Sequence, residues 1–248
     1  IRRFKNQTTG GTINVQNSQG FDIQDDSLKV NSLTIQGYRA NAYASFLHNQ
    51  LNGNLTLTDD ASYTGGYYTE IHNNHITGNT TITINGTNAL YEANGANNAN
   101  TFIGNTLFNL NSGASAYISY QDKSTYNGNL TILRTVAGYT RVFNAGANIT
   151  GNFIYNNNSS GENDLGNLAN ATLINGTINM NVNLSPVNSF ALSRIRNQTP
   201  GGKINLYNTR GFTIQNDSLL VDSLNVISYR GNGYANFYNN QLTGHLTL

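Results

Sequence analysis

Cleavage of a glycosidic bond takes two carboxylates flanking the scissile oxygen, and a calcium-assisted lyase takes two or three beside a basic residue. In this 248-residue chain the candidates for either chemistry are Asp25, Asp26, Asp59, Asp60, Glu70 and Glu92. Asp26, His48, Glu70 and Glu92 follow one another at even intervals and look like a column of ionisable groups. Alignment of the surrounding motif dissolves the column. HNQLNGNLTL from 48 aligns with HNNHITGNTTI from 72 when Asn49 is set on Asn74, so His48 falls level with Asn73 and Glu70 falls out of line. No catalytic residue is assigned, and the chain is expected not to be an enzyme.

His72 and His75 bracket two asparagines, but on strands or turns this spacing gives them no shared helical face, and no Cys or nearby carboxylate completes a ligand set. No metal ligand is assigned. The chain contains no nucleophile elbow, P-loop or dinucleotide fingerprint, and no cofactor is expected. Tyr38, Tyr43, Tyr63, Tyr67, Tyr68 and Tyr120 would stack on sugars or on a host surface if exposed, and would pack on their neighbours if not. Asn54, Asn79, Asn85, Asn129, Asn148, Asn170 and Asn175 each open an Asn-x-Ser/Thr sequon, which an Asn- and Thr-rich chain produces by composition alone.

The elements that position these residues repeat. FLHNQLNGNLTL at 46–57 returns as FYNNQLTGHLTL at 237–248, an offset of 191. The same offset maps FKNQTTGGTINVQNSQGFDIQDDSLKVNSL at 4–33 onto IRNQTPGGKINLYNTRGFTIQNDSLLVDSL at 195–224 without a gap. The chain therefore divides into one full unit, 1–191, and the start of the next, 192–248, expected to form one continuous rod without a linker. Cut from a longer array, it would expose unpaired strand edges, and flanking coils or end-to-end copies are its expected partners.

Within the unit, TINVQ, GFDIQ, SLKV and SLTIQ at 12–36 alternate apolar and polar residues with the period of two that marks a strand with one buried face. Asn, Ser, Asp and Gly separate them, residues that accept left-handed turns. Ile13, Ile35, Leu57, Ile82, Phe108, Ile132, Ile154, Ile178 and Ile204 mark successive coils, eight steps to the unit. Phe108, in LFNLNSG, fits least well, with the usual Gly missing before it. About three short strands per coil and no helical spacing predict an all-β right-handed parallel β-helix, a solenoid of about 22–26 residues per coil and eight coils per 191-residue repeat. Ile13, Val15, Phe21, Ile23, Leu28 and Val30 are expected to face inward, and Asn at the turns to ladder from coil to coil. A β-sandwich or barrel would also use many short strands, but it leaves the coil-length recurrence unexplained.

With 38% hydrophobic and 10% charged residues, no Cys, no Trp and two Pro, the composition is neither that of an ordinary globular domain nor that of a charged disordered chain. A net charge of +1 gives no reason to expect nucleic acid or an anionic membrane as partner. Absence of Cys fits a reducing compartment or an exported chain equally. The chain has no apolar run long enough for a membrane span, so none is expected within this segment. The one polar-aromatic motif held in both copies is YR-x-N-x-YA-x-F, which makes Tyr38, Arg39, Tyr43, Tyr229, Arg230 and Tyr234 the candidate surface-binding residues.

LSRIRNQTPGGKINL at 192–206, with its partner RRFKNQTTGGTINV near the start, resembles a stretch of the vacuolating-cytotoxin-like (VacA-like) autotransporter passengers of Helicobacter: Leu-Ser, an apolar residue, Arg-Asn-x-Thr, Gly-Gly and an alternating strand. The resemblance lies in that short stretch of sequence and, for the rest of the chain, in Asn-rich style. It implies a right-handed β-helix, carried through the outer membrane by a C-terminal barrel and displayed on the bacterial cell surface for host contact. Nothing here matches the apolar N-terminal segment on which the cytotoxin's channel depends, so pore formation is not implied. A giant surface adhesin of similar composition would share these features. The expected function is a non-enzymatic structural or adhesive stalk, with host surface or glycans as further partners. A polysaccharide-acting β-helix enzyme and a glycan-binding module are the alternatives.

Overall fold

The computed structural model describes residues 1–39, 44–167, 169–184, 188–230 and 234–248. They form 31 strands, numbered β1 to β31 in chain order, and among the described residues there is no helix. The four strands read from 12–36 appear as β1 (Thr12–Gln16), β2 (Phe21–Gln24), β3 (Ser27–Leu28) and β4 (Ser32–Tyr38). Each then stacks on the strand three places later. Sheet I holds eleven strands starting β1, β4, sheet II ten starting at β2, and sheet III ten starting at β3. The pairings are parallel throughout, which makes the molecule a β-solenoid of about ten turns. A parallel strand pair needs a long crossover between its members. Here the other two sides of the coil supply it.

The interior follows from strand parity. Leu28, Leu33, Ile35, Phe46, Leu51, Leu55 and Leu57 are fully buried, and the same holds in coil after coil through Ile204, Leu206, Ile214 and Leu219. Each side chain of this kind adds about 1.5–3 kcal/mol on burial, against only the neighbours above and below it. Phe21, Ile23, Leu28 and Val30 are buried as expected, and Ile13 and Val15 pack partly buried against the core.

Stacking on sheet I corrects part of the coil assignment. The column runs Val15, Ile35, Leu57, Ile82, Phe108, Ile132, Tyr155, Met180, Ile204, Leu224, Leu246. Ile13 instead pairs with Leu33, Ile178 with Phe153, and Ile154 points outward between inward Phe153 and Tyr155. Two inward positions on one strand are equally apolar, and where an outward Ile sits between two aromatics the larger rings take the core. Phe108 belongs to the column after all. Gly104-Asn105 forms the turn before it, at the same distance along the chain that Gly53-Asn54 keeps from Leu57.

The two sequence copies also differ in register. On sheets II and III, Phe21 and Leu28 stack through the intervening coils onto their own copies, Phe212 and Leu219. On sheet I the column from Val15 arrives at Ile204, whereas its sequence copy is Leu206. A one-residue slip would turn every side chain to the wrong face; a two-residue slip preserves the pattern, so the sheet absorbs it.

Candidate binding surface

In five coils the corner between sheets II and III is a two-residue turn with a fixed chemistry. Asp25, His48, Asn73, Asn216 and Asn239 take positive φ of 56°, 57°, 51°, 59° and 55°, and an Asn or Asp follows each. Away from the last coil that second residue is buried, and it ladders along the rod. Asn49 Oδ1 accepts from the Asp26 amide at 3.0 Å, Asn74 Oδ1 from the Asn49 amide at 2.9 Å and Asn100 Oδ1 from the Asn74 amide at 2.8 Å. The Nδ2 groups of Asn49, Asn74 and Asn100 each donate to a carbonyl on the coil below, at Ile23, Phe46 and Ile71. Asp26 and Asp217 occupy the same station, each with Oδ1 accepting the amide of the coil below and Oδ2 buried without a partner.

The other candidate carboxylates are held in separate structural roles. Asp59 accepts from the amides of Asn85 and Gly86 and from Asn88 Nδ2, and burial raises its pKa. Asp60 pairs with Arg39 at 2.8 Å, and its bonds from Ser62 and Arg39 hold its pKa at about 2. Asp25 lies 3.4 Å from His48 Nδ1. Glu92 is fully buried and accepts from Asn100 Nδ2, the Ser119 amide, Ser124 Oγ and Tyr126 Oη, with its pKa raised chiefly by desolvation. Glu70 alone, half-buried on the outer face of sheet II, makes no side-chain hydrogen bond or ion pair among the described residues, and burial raises its pKa. His72 is buried, its pKa pushed down to about 4 by desolvation, while His75 is exposed beyond the turn at Asn73.

A second ladder, exposed, lines the corner between sheets III and I. Asn54, Asn79, Asn105, Asn129 and Asn152 each accept, through Oδ1, the amide of the next coil's residue at 2.8–3.0 Å, ending at the amide of Thr177. Three of the sequon asparagines, Asn54, Asn79 and Asn129, are members. The glycines before them stack so closely that a Cβ on Gly104 would lie 2.5 Å from the Gly78 carbonyl oxygen. The motif behind the coil count is thus a stacked turn.

The repeated YR motif proves to be partly internal. Tyr38, taken from sequence as a surface residue, is fully buried: it packs edge-on against Phe21 at 4.9 Å, and its hydroxyl meets Thr69 Oγ1 at 2.9 Å. Its copy Tyr229 packs the same way on Phe212 at 5.3 Å and is 38% exposed. The coil that brings Thr69 over Tyr38 has no counterpart over Tyr229 within these residues. Arg39 and Arg230 are exposed, the former tied to Asp60, and Tyr234 is 76% exposed. Tyr43 lies outside the described residues. The motif survives in both copies because its first tyrosine closes the corner between sheets I and II.

A continuous aromatic surface appears elsewhere, on the outer face of sheet II. There β8 (Tyr68–His72), β11 (Ala89–Glu92), β14 (Ala116–Ile118), β17 (Thr140–Val142) and β20 (Asn163–Gly166) put Glu70, Tyr91, Tyr117, Arg141 and Asp164 in one outward column. Tyr91 and Tyr117 are stacked at 4.7 Å with ring planes 9° apart. Tyr68 meets Tyr91 edge-on at 5.1 Å, and Tyr120 leans on both, at 6.2 Å from Tyr91 and 4.7 Å from Tyr117. At the upper end Arg141 lies over Tyr139 and 3.4 Å from Asp164, which also accepts from the Tyr139 hydroxyl. Of the tyrosines singled out from sequence, Tyr68 and Tyr120 belong to this strip, and Tyr63 and Tyr67 do not. Tyr91, Tyr117 and Tyr139 were missed. Their signal is the step, because Tyr91 to Tyr117 repeats the spacing from Ile82 to Phe108 on sheet I.

Fold and surface together define a parallel β-solenoid with laddered asparagine corners and one aromatic face. Searches of protein-family models, of curated proteins and of solved structures find no match to the chain.

Proposed function

We propose that this chain is a non-enzymatic segment of a long, repetitive β-helical protein of the bacterial cell surface, a stalk that also presents a binding face. The observation that carries the reading is the continuity of the sheets across the boundary between units: β22 (Ile178–Asn183) pairs with β25 (Lys203–Tyr207) and β23 (Ser189–Ser193) with β26 (Gly211–Gln215) as any other rungs do. Each unit then adds eight rungs, about 40 Å at ~4.8 Å per rung, to the same rod. The dispersal of Asp26, Asp59, Asp60 and Glu92 into turn and core roles supports a non-enzymatic segment. Display at the cell surface rests on the resemblance to autotransporter passengers, and the aromatic face of sheet II favours a role in adhesion. Tandem units would repeat such a face along the stalk and gain avidity without a strong single site.

The test is electron microscopy of rods extracted from the native surface. A longitudinal repeat of about 40 Å is expected from the rung spacing. Compact particles without such a repeat would overturn the reading.

A further inference from the structure

The turn between sheets II and III is two residues long at Asp25, His48, Asn73, Asn216 and Asn239, but it lengthens after β11, β14, β17 and β20, and most of all after β11 and β14. Between Ala93 (φ 56°) and Asn100, and again between Ser119 (φ 48°) and Ser124, the chain makes a longer excursion before rejoining the ladder. Glu92 anchors both returns from inside, through Asn100 and Ser124. The excursions carry Asn94, Tyr120 and Gln121 out over the edge of sheet II, where with Tyr68, Glu70 and Tyr91 they line an open cleft of about 340 Å³. One face of Tyr91 is covered by Tyr117 on the rung above. On the rung below, its direct neighbour is Glu70, and Tyr68 of that rung meets the Tyr91 ring edge-on at 5.1 Å. Glu70 in turn faces Ser45 on its far side.

The cleft therefore combines three tyrosine rings, Tyr68 and Tyr120 set at 81° and 60° to Tyr91, with a carboxylate without a cationic partner among the described residues. Ring faces attract cations through their quadrupole, and a carboxylate beside them adds charge. A metal ion would need several hard oxygen or imidazole ligands, and no group of three or more His, Cys, Asp or Glu is assembled among the described residues. A sugar ring would find no open flat platform, because Tyr91 is stacked on Tyr117 and met edge-on by Tyr68. We propose that this cleft binds an organic ammonium group of the choline type, with the rings of Tyr68, Tyr91 and Tyr120 around its methyl groups and Glu70 as counter-ion. Partial burial already raises the pKa of Glu70, and a bound cation would offset that desolvation. The inference names a ligand for the binding face proposed above, but its test does not depend on the length or location of the rod.

Choline chloride titrated into the 248-residue chain, with ¹³C-labelled tyrosine followed by NMR, should give saturable shifts at Tyr68, Tyr91 and Tyr120. Glu70→Gln and Tyr68→Leu, both at solvent-accessible positions, should each weaken binding about tenfold while the spectrum of the remaining tyrosines stays folded. The uncharged isostere 3,3-dimethylbutan-1-ol should bind at least about tenfold more weakly than choline. Equal binding of the isostere, an unchanged affinity in Glu70→Gln, or no saturation with choline would each overturn the proposal. Phosphatidylcholine vesicles, compared with phosphatidylglycerol vesicles, separate the two sources of the group. Glu70-dependent binding to the former assigns a membrane headgroup; binding of free choline alone assigns a soluble compound. A failed titration alongside an intact axial period would remove the ligand and leave the stalk reading standing.

Discussion

At the scale of single residues, the asparagine of the sheet II to sheet III turn does three things at once: it follows the left-handed residue, accepts an amide and donates to a carbonyl. Replacing Asn74 by Ala strands the Asn49 amide and the Phe46 carbonyl in the interior. At about 1–3 kcal/mol for each unsatisfied buried group, the variant should lose about 2–5 kcal/mol in urea denaturation. Aspartate at this station cannot donate while ionised. Asp217 lies among Ile195, Asn240 and the exposed side of Arg196, and burial raises its pKa to about 7. A carboxyl whose folded pKa exceeds its unfolded value of about 3.9 stabilises the fold fully below that lower value, and the contribution fades as pH rises toward 7. The shift corresponds to about 4 kcal/mol at most, and Glu92, raised likewise by desolvation, acts in the same direction. The rungs around 217 should therefore show larger amide protection factors, corrected for the intrinsic exchange rate, at pH 4.5 than at pH 7.5. Asp217→Asn should remove that component by supplying the missing donor at every pH, and a variant with the same pH slope as the parent would contradict the assignment.

At the scale of elements, the alternating strands, the inward positions and the ladder were legible because each is local: parity decides the face, and Gly-Asn or an Asn pair marks the corner. Register follows the turn glycine, with the column residue four positions after it, as Leu57 after Gly53, Ile82 after Gly78, Phe108 after Gly104 and Ile132 after Gly128; Ile154 was misplaced because the residue four after Gly151 is Tyr155. The aromatic face was hidden for a different reason. Comparing the two copies tests only positions 1–57, and the strip, from Tyr68 to Asp164, has no second copy within the 248 residues. The same comparison drew attention to Tyr38, since burial and binding both keep a residue constant. The two long turns that build the cleft hang on Glu92, a carboxylate that local patterning offers no reason to place inside the coil. Glu92→Ala leaves the Ser119 amide and the Tyr126 hydroxyl without their acceptor. Limited proteolysis within 94–99 and 120–123 should accelerate, and the choline response should vanish, while the rungs near Leu28 and Leu219 keep their exchange protection.

At the scale of the whole molecule, each rung touches only the rungs beside it, so stability is a sum of nearest-neighbour terms and unfolding need not be all-or-none. Ile82 is fully buried in the middle of the sheet I column, between Leu57 and Phe108. Ile82→Asn would lose about 2–5 kcal/mol of packing and place an amide where no partner waits. In a compact single-core protein that lesion lowers one transition for every residue alike. In a rod it weakens the two interfaces that residue touches and leaves distant ones intact. Hydrogen exchange resolved along the chain should show protection collapsing from about residue 50 to 110 and persisting near Ile178 and Ile204. The tyrosine cleft, built on rungs that lie within the weakened stretch, should lose choline binding in the same variant at urea concentrations where the rungs near Ile204 are still folded. A uniform loss of protection would mean that the coils unfold as one cooperative body, and the additive picture of a stalk assembled from independent rungs would have to be given up.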